Sequence, residues 1–548
     1  MWERLPQKPE LMQEKPWLPF PSCQDLHMQN PPKISKITGP PGCGKSTYLK
    51  KQIVRACDKF APSRIGAVTF TNAGVEQIRA EIASTTGQSK EVAKNARTIH
   101  SHCFKLLKLN GDVIAERNVR EFNALHPGFA IKIDKLKDQD EDSESWRENR
   151  HAEKLFSEMQ VNRNRMIPEE QWMPDVQAIW DAWSAWMAEA GYVDFTGMLE
   201  RTLALRLRPD IDVLFVDETQ DLSPLQFELM KMWSKKCVST VYAGDADQAI
   251  YRFAGTVPEA FITLEHDWRH LLDQSYRVPH AVHAYAEQII GLAKNREVTA
   301  YKPVSSGMDT YKGEGRVYRC FSPDLTLPGM HMILCRCKFQ VPRWIDILMK
   351  NNYLWHNPYR PEDLSWNPTR TISWIAARTY YDLMRGKIVK GKRFKKMVEK
   401  IQGGFLVRGT KTRIKDMEND ENIDLFNLAN LGFNNDFIDA IRPVSEVIKL
   451  TQRVTSILRK TSTIEEAEKM LMQEPKVIIG TIHSVKGGEA DHVWLDTSLS
   501  PLIYREIRNS NEAFYDECRV AYVAATRAKQ TLGLVSTRDW SPVLPQEI

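Results

Sequence analysis

Paired cysteines are missing from this 548-residue chain: its nine cysteines are scattered, and only Cys335 and Cys337 sit close. No C-x-x-C spacing occurs of the kind used by zinc and thiol-redox sites, so the thiols read as reduced and a disulfide-built secreted module is excluded. Long apolar runs are missing too, none approaching the about 20 residues that span a bilayer. The start, Met1-Trp2-Glu3-Arg4, lacks the charged-then-apolar order of a signal peptide. A cytoplasmic location with no membrane partner is expected. A large excess of either charge is missing, since 75 Lys and Arg face 70 Asp and Glu for a net +5, a balance that permits nucleic-acid binding without arguing for it. Internal repeats and long low-complexity tracts are absent. An acidic run, Asp138 to Glu144, and a basic one, Arg385 to Lys396, read as solvated faces or loops.

What is present is an ordinary globular composition, 42% hydrophobic and 26% charged, which excludes wholesale disorder, on a length that suggests about four domains. Short apolar runs predict buried parallel strands at Ile34 to Thr38, Ile65 to Phe70, Val213 to Val216, Val238 to Ala243, Met332 to Leu334, Val477 to Ile479 and Val493 to Leu495. Helical stretches separate them, giving an α/β class with ligands expected at the carboxyl ends of strands. Cys103 to Tyr192 and Trp344 to Thr455 break that pattern and read as helical insertions. Within the first, Trp180, Trp183 and Trp186 fall on one helical face, a spacing that favours packing over base stacking.

The chemistry begins at Gly39-Pro40-Pro41-Gly42-Cys43-Gly44-Lys45-Ser46, a G-x-x-x-x-G-K-[ST] run that follows the first strand and opens a helix predicted over Thr47 to Ala56. Glycines let backbone N–H groups curl around phosphates, Lys45 reaches the β and γ phosphates, and the Ser46 hydroxyl holds Mg²⁺. Downstream, Val213-Leu214-Phe215-Val216 delivers Asp217-Glu218-Thr219-Gln220-Asp221. Asp217 then joins Ser46 at the metal, and Glu218 is the candidate general base for an attacking water. A further strand delivers Gly244-Asp245-Ala246-Asp247-Gln248, where the neutral amide of Gln248 suits a γ-phosphate sensor. Tyr251 and Phe253 lie just beyond it, placed for sequence-tolerant stacking on bases.

Taken with Val68-Thr69-Phe70-Thr71-Asn72, Thr98-Ile99-His100-Ser101, Gln274-Ser275-Tyr276-Arg277, Gly480 to Glu489 and Ala521 to Ala528, this ordered set resembles superfamily 1 DNA helicases of the UvrD, PcrA and Rep type across most of two motor domains. The resemblance implies two RecA-like domains with parallel sheets, each carrying a mainly helical insertion. Residues 1–102 and 193–273 would form the first, with 103–192 inserted. Residues 274–343 and 456–548 would form the second, with 344–455 inserted. It implies Arg277 and Arg527 as arginine fingers, Tyr276 stacked on adenine, Glu489 on the ribose, and Gln24 as the adenine-reading glutamine. Single-strand contacts would fall to Phe70, Thr71, Asn72, His100, Tyr251, Phe253 and His483.

The implied activity is ATP-dependent translocation on single-stranded DNA with 3′ to 5′ helicase action in replication, repair or recombination. ATP and Mg²⁺ are the cofactors, with single-stranded and tailed duplex DNA and a replication or repair protein as partners, in a cell or in the host cytoplasm of a virus. Alternatives are a translocase that strips proteins or needs a partner to unwind, and a nucleotide-gated scaffold. The chain departs from the family at Thr47 and Ala254, where arginine is usual, at Phe253, where tryptophan is usual, and at Cys518, commonly arginine. Both insertions look short, and the tail after Arg527 leaves no room for a nuclease domain.

Overall fold

The computed structural model describes residues 33–69, 72–87, 93–131, 150–304, 313–536 and 541–546. These fall into two compact units: one runs to Tyr276 and takes in Lys294–Pro303, while the other comprises Arg277–Ala293 and the chain from Val304 onward.

The first unit is built on six parallel strands, β1 (Ile34–Thr38), β2 (Ile65–Val68), β3 (Ala96–Arg97), β4 (Val213–Val216), β5 (Ser239–Gly244) and β6 (Trp268–Leu271), in the order β3-β2-β4-β5-β1-β6. In β4 the strand period of two divides Val-Leu-Phe-Val between two cores. Val213 and Phe215 face Tyr48, Leu49, Ile53 and Ala56 of the helix Lys45–Cys57, whereas Leu214 and Val216 face Leu225, Phe227, Leu229 and Trp233 of the helix Pro224–Ser234. Burial on both faces explains why β4 and β5 are apolar throughout, as parallel sheets require. Truncating Phe215 to Ala would cost about 3–5 kcal/mol.

Strand ends differ from expectation by one or two residues. The run expected to reach Phe70 ends at Val68, and Val238 is half-exposed, its N–H donating to the Asp212 carbonyl at 2.7 Å ahead of β5. The first helix starts two residues earlier than predicted because Gly44, at φ 76°, turns the chain directly into it.

Beside the sheet, the helices Glu116–Leu125, Arg150–Arg165 and Pro174–Ala190 share a separate core of Val119, Phe122, Phe156, Met159, Ile179, Trp183 and Trp186. Trp183 is fully buried with its Nε1 donating to Asp194 at 3.0 Å, so this tryptophan packs, as expected. Asp194 also accepts from Arg163 at 2.6 Å and caps the helix Phe195–Ala204 through Gly197 N–H. Arg163, itself buried, completes its charge balance with Glu200.

The second unit holds another parallel six-stranded sheet, with β7 (Arg316–Cys320), β8 (His331–Cys335), β9 (Trp355–His356), β12 (Val477–Thr481), β13 (Ala490–Asp496) and β14 (Ala528–Val535) in the order β7-β14-β13-β8-β12-β9. β10 (Val389–Lys390) and β11 (Asn422–Ile423) form a small antiparallel ribbon. Strand β9 lies inside the stretch read as helical, yet pairs with β12. Unlike the first unit's helical core, the helical residues Trp374, Tyr380, Phe394, Met397 and Phe437 are continuous with the sheet residues Ile333, Ile479 and Trp494. The helix Asn511–Ala525 packs on the helix His280–Ile290. Within the basic run, Arg385 pairs with Glu468, and both Lys387 and Arg393 pair with the buried Asp382. The acidic run Asp138 to Glu144 lies outside the described residues. No described helix is long and apolar enough to cross a membrane.

Candidate functional site

Three loops leave the carboxyl ends of β1, β4 and β5 side by side, because β4 pairs with β5 and β5 with β1. In the first, Gly42 and Gly44 adopt φ of 71° and 76°, a left-handed backbone that side-chain-bearing residues resist. At Gly39 a Cβ would sit 2.6 Å from Cys43 Sγ, so close approach demands glycine there too. The helix Lys45–Cys57 that follows has no side-chain cap and no acid in its first turn, leaving its N-terminal N–H groups and dipole to an anion. Pro40, Pro41 and Cys43 are buried in the loop, and burial pushes the Cys43 thiol up to about 11, so it stays protonated. Ser46 and Thr47 are exposed on the first turn.

Lys45 is buried. Its Nζ donates to the Gly39 carbonyl at 3.3 Å and lies 4.0 Å from Glu218 Oε2. Burial alone would lower its pKa, but the negative charges around it, Glu218 above all and then Asp245 and Asp217, raise it, so Lys45 is a fixed cation. Ser46 Oγ donates to Asp217 Oδ2 at 3.2 Å, and the other Asp217 oxygen accepts the Glu218 N–H at 2.9 Å. Burial, and then the neighbouring Glu218, push the Asp217 carboxyl up to about 6.

Glu218 has a left-handed backbone, φ 51° and ψ 42°, rare for a non-glycine residue and a mark of local strain. From β5, Asp245 is buried, which raises its pKa against the opposing charge of Lys45. Gln248 donates to Asp245 Oδ2 at 2.6 Å, while Asp247 is held by Arg296 at 2.6 Å. The segment Gln274–Tyr276 is stitched to the glycine-rich loop: Ser275 Oγ donates to the Pro41 carbonyl and Tyr276 N–H to the Gly42 carbonyl, both at 2.8 Å. The Tyr276 ring is 53% exposed and therefore available for stacking. Sequence reasoning missed Ser275, Gln220 and Asp245 as site residues, although each stands inside a quoted motif as a polar residue at the end of an apolar strand or in a loop.

A second cluster gathers in the other unit. Arg277 donates to Glu489 at 2.8 Å, and Lys529 reaches the other Glu489 oxygen. Burial would raise the Glu489 carboxyl, but Lys529 and Arg277 hold it below the ordinary range. Arg527 is buried, its guanidinium donating to the carbonyls of Val523 at 2.9 Å and Gly488 at 3.3 Å. Cys518 is also buried.

The candidate strand contacts are spread. His100 stands on the helix Ile99–Leu106, its ring edge-on to the exposed Phe195 at 5.6 Å, and burial pushes its pKa down to about 4, so it is neutral. Tyr251 and Phe253 pack edge to face at 6.1 Å, both half-buried. His483 is buried in the turn after β12. Asn72 opens the helix Asn72–Thr86. Gln24, Phe70 and Thr71 lie outside the described residues. The described cysteines are free thiols, and no cluster of three metal-ligating His, Cys, Asp or Glu occurs among the described residues.

Comparison with known families places a UvrD/REP helicase N-terminal domain over residues 24–269 and a UvrD-like helicase C-terminal domain over residues 283–539. Among curated proteins, the ATP-dependent DNA helicase PcrA of Staphylococcus epidermidis strain RP62A is 24% identical over 288 residues, covering 49% of this chain and 39% of that protein. The PcrA of Staphylococcus aureus strain Mu50 is 25% identical over 270 residues, 45% of this chain and 37% of its own length. These matches therefore span about two fifths of the relatives.

Proposed function

The chain belongs to the UvrD/REP helicase family, and from that premise we propose that it is an ATP-driven motor that moves 3′ to 5′ along single-stranded DNA and separates duplex ahead of it. One observation carries the reading: the Ser46 hydroxyl and the Asp217 carboxylate stand 3.2 Å apart at the mouth of the glycine-rich loop, beside a buried lysine. Two hard oxygen donors of this kind suit Mg²⁺, which takes one or two protein oxygens and completes its shell with phosphates and water. When bound there, the ion would neutralise charge on the β and γ phosphates. Helicases of this type consume ATP, and the backbone N–H groups of Gly42 to Ser46 would hold its phosphates.

Lys45 would exchange the Gly39 carbonyl for phosphate oxygens. Glu218 would take a proton from water as the water oxygen bonds to the γ-phosphorus and the bond to the ADP oxygen breaks, releasing ADP and phosphate. Gln248 would report the γ-phosphate. Arg277 and Arg527 would stabilise the developing charge, which requires Arg277 to leave Glu489 and Arg527 to leave its carbonyls. Glu489 would then accept from the ribose, with adenine between Tyr276 and Gln24. The single strand would run over Phe70, Thr71, Asn72, His100, Tyr251, Phe253 and His483, gripped without base readout. The four-part division at residues 102, 192, 273, 343 and 455 belongs to this proposal, as does a role in replication or repair with a protein partner.

A second reading, a translocase that unwinds poorly alone, draws support from the basic run: its pairing with Glu468 and Asp382 leaves less charge for duplex phosphates. Strand separation on matched duplexes with a 3′ or a 5′ single-stranded tail, with DNA-stimulated ATPase confirmed in the same preparation, tests both. Unwinding from the 3′ tail alone is expected. ATPase without unwinding would select the translocase, and ATP turnover that DNA does not raise would return the scaffold.

A further inference from the structure

Gln220 is fully buried beside the reacting centre, yet nothing in the proposed chemistry uses it. Its Nε2 donates to Glu218 Oε2 at 2.6 Å, and its Oε1 accepts the Asp245 N–H at 3.0 Å. Asp245 in turn takes the Gln248 amide. One side chain thus joins the loop after β4, which carries the candidate base, to the loop after β5, which carries the candidate sensor. The fit is close: a Cβ at Gly244 would lie 2.6 Å from Gln220 Oε1, so glycine at the end of β5 leaves the amide its place.

We infer that Gln220 is a positioning residue that fixes the Glu218 carboxylate and couples it to the sensor loop. The inference rests on the reading of Glu218 as the base of ATP hydrolysis. Its physical basis is that a primary amide donates at one end and accepts at the other. A carboxylate of the same size accepts only, and an aliphatic chain does neither. Glu218 needs such a tether because its left-handed backbone fixes where the side chain starts but not where the carboxylate ends. When Gln248 engages a γ-phosphate, its hold on Asp245 changes. Gln220 relays that change to the base.

The test is single-turnover and steady-state hydrolysis of MgATP by the full chain, with and without a single-stranded oligodeoxynucleotide, in wild type, Gln220→Leu, Gln220→Glu, Glu218→Gln and the double variants. Both Gln220 variants are expected to lower kcat about 10- to 100-fold with KM for ATP within about twofold, the mark of a group acting on the transition state. In the Glu218→Gln background neither should cost more than about a further twofold, because residues acting as a unit are not additive. Gln220→Glu keeps the size and the acceptor for Asp245 N–H, so a purely structural role predicts that it restores wild-type kcat. That restoration, or losses that multiply in the double variants, would overturn the inference. Should Gln220→Leu fail to melt cooperatively, Gln220→Glu decides alone. Failure of the wild type to hydrolyse ATP would overturn the functional reading together with this one, whereas normal wild-type turnover with unaffected Gln220 variants would overturn only this one.

Discussion

In the first unit one lysine is surrounded by carboxylates, whereas in the second one carboxylate is surrounded by cations. Lys45 answers to Glu218, Asp245 and Asp217, and Glu489 answers to Arg277 and Lys529. Each cluster is incomplete in the opposite sense. Under the proposed function, negative charge in excess at the first would need a divalent cation before a polyphosphate could sit there, the role given to Asp217 and the Ser46 hydroxyl. At the second, the Glu489 carboxylate offsets part of an excess of positive charge from Arg277 and Lys529. The difference teaches that each unit offsets its own cluster internally; under the proposed function, phosphate would have to replace those internal pairs.

The two arginines sharpen the comparison most. Removing an arginine that meets transferring phosphate costs about 10³ to 10⁵ in rate, so Arg277→Ala and Arg527→Ala should each depress kcat far more than they raise KM for ATP. Their stabilities should part company. Arg527→Ala leaves the buried Gly488 carbonyl without this donor and should lose about 1–3 kcal/mol in denaturant titration, whereas Arg277, whose partner Glu489 is more than a third exposed, should lose less than about 1 kcal/mol. Equal losses of rate and affinity would mean ground-state contacts instead. Next in size, Glu218→Gln should lower turnover about 10²- to 10⁴-fold while leaving ATP-dependent single-strand binding in place. Wild-type hydrolysis in that variant would remove Glu218 as the base and break the account of the first cluster.

The first unit was the more legible in the sequence, for a physical reason. Strands buried on both faces, such as β4 and β5, must be apolar throughout, and glycines forced into left-handed backbone at Gly42 and Gly44 mark the loop. Strand β6 was not read, because its edge position leaves Arg269 and Leu271 exposed between half-buried residues. Nor was β14, whose opening Lys529 and Gln530 hide the apolar run behind them. Motif spacing singled out Lys45, Asp217, Glu218 and Gln248 as candidates, and the resemblance added Arg277, but neither gave their bonds. That Gln220 accepts from Asp245 N–H, or that Arg527 donates to the Gly488 carbonyl, depends on distances between loops well separated in the chain.

A buried neutral residue on the helix Ile99–Leu106 contrasts with the charged loops at the strand ends. His102 is 2% exposed, its ring edge-on to Trp233, with Nε2 3.2 Å from the Asn95 carbonyl, and burial pushes its pKa down to about 3. The unfolded chain binds a proton near the ordinary value of about 6.5 while the folded chain refuses it, so stability is full above that value and is lost as pH falls toward 3. By pH 5 the loss is about 2 kcal/mol. His102→Gln, which keeps a donor for Asn95, should flatten the stability profile between pH 7 and 5 by that amount relative to wild type in urea titrations. Parallel profiles would show that His102 titrates normally.

The smallest effect is expected where the second unit's cations are already matched. Arg385 lies against Glu468 and Arg393 against Asp382, each at 2.7 Å, so releasing either to a phosphate trades one ion pair for another. A lysine or arginine that displaces counterions from duplex DNA contributes about one to the slope of log affinity against log salt. Arg385→Gln and Arg393→Gln should therefore change that slope by less than about half a unit each. A fall of about one per substitution would mean that both arginines abandon their carboxylates on the duplex. Self-neutralisation in the second unit would then be a resting state throughout, released by DNA at the basic run as the proposed function has it released by nucleotide at Glu489.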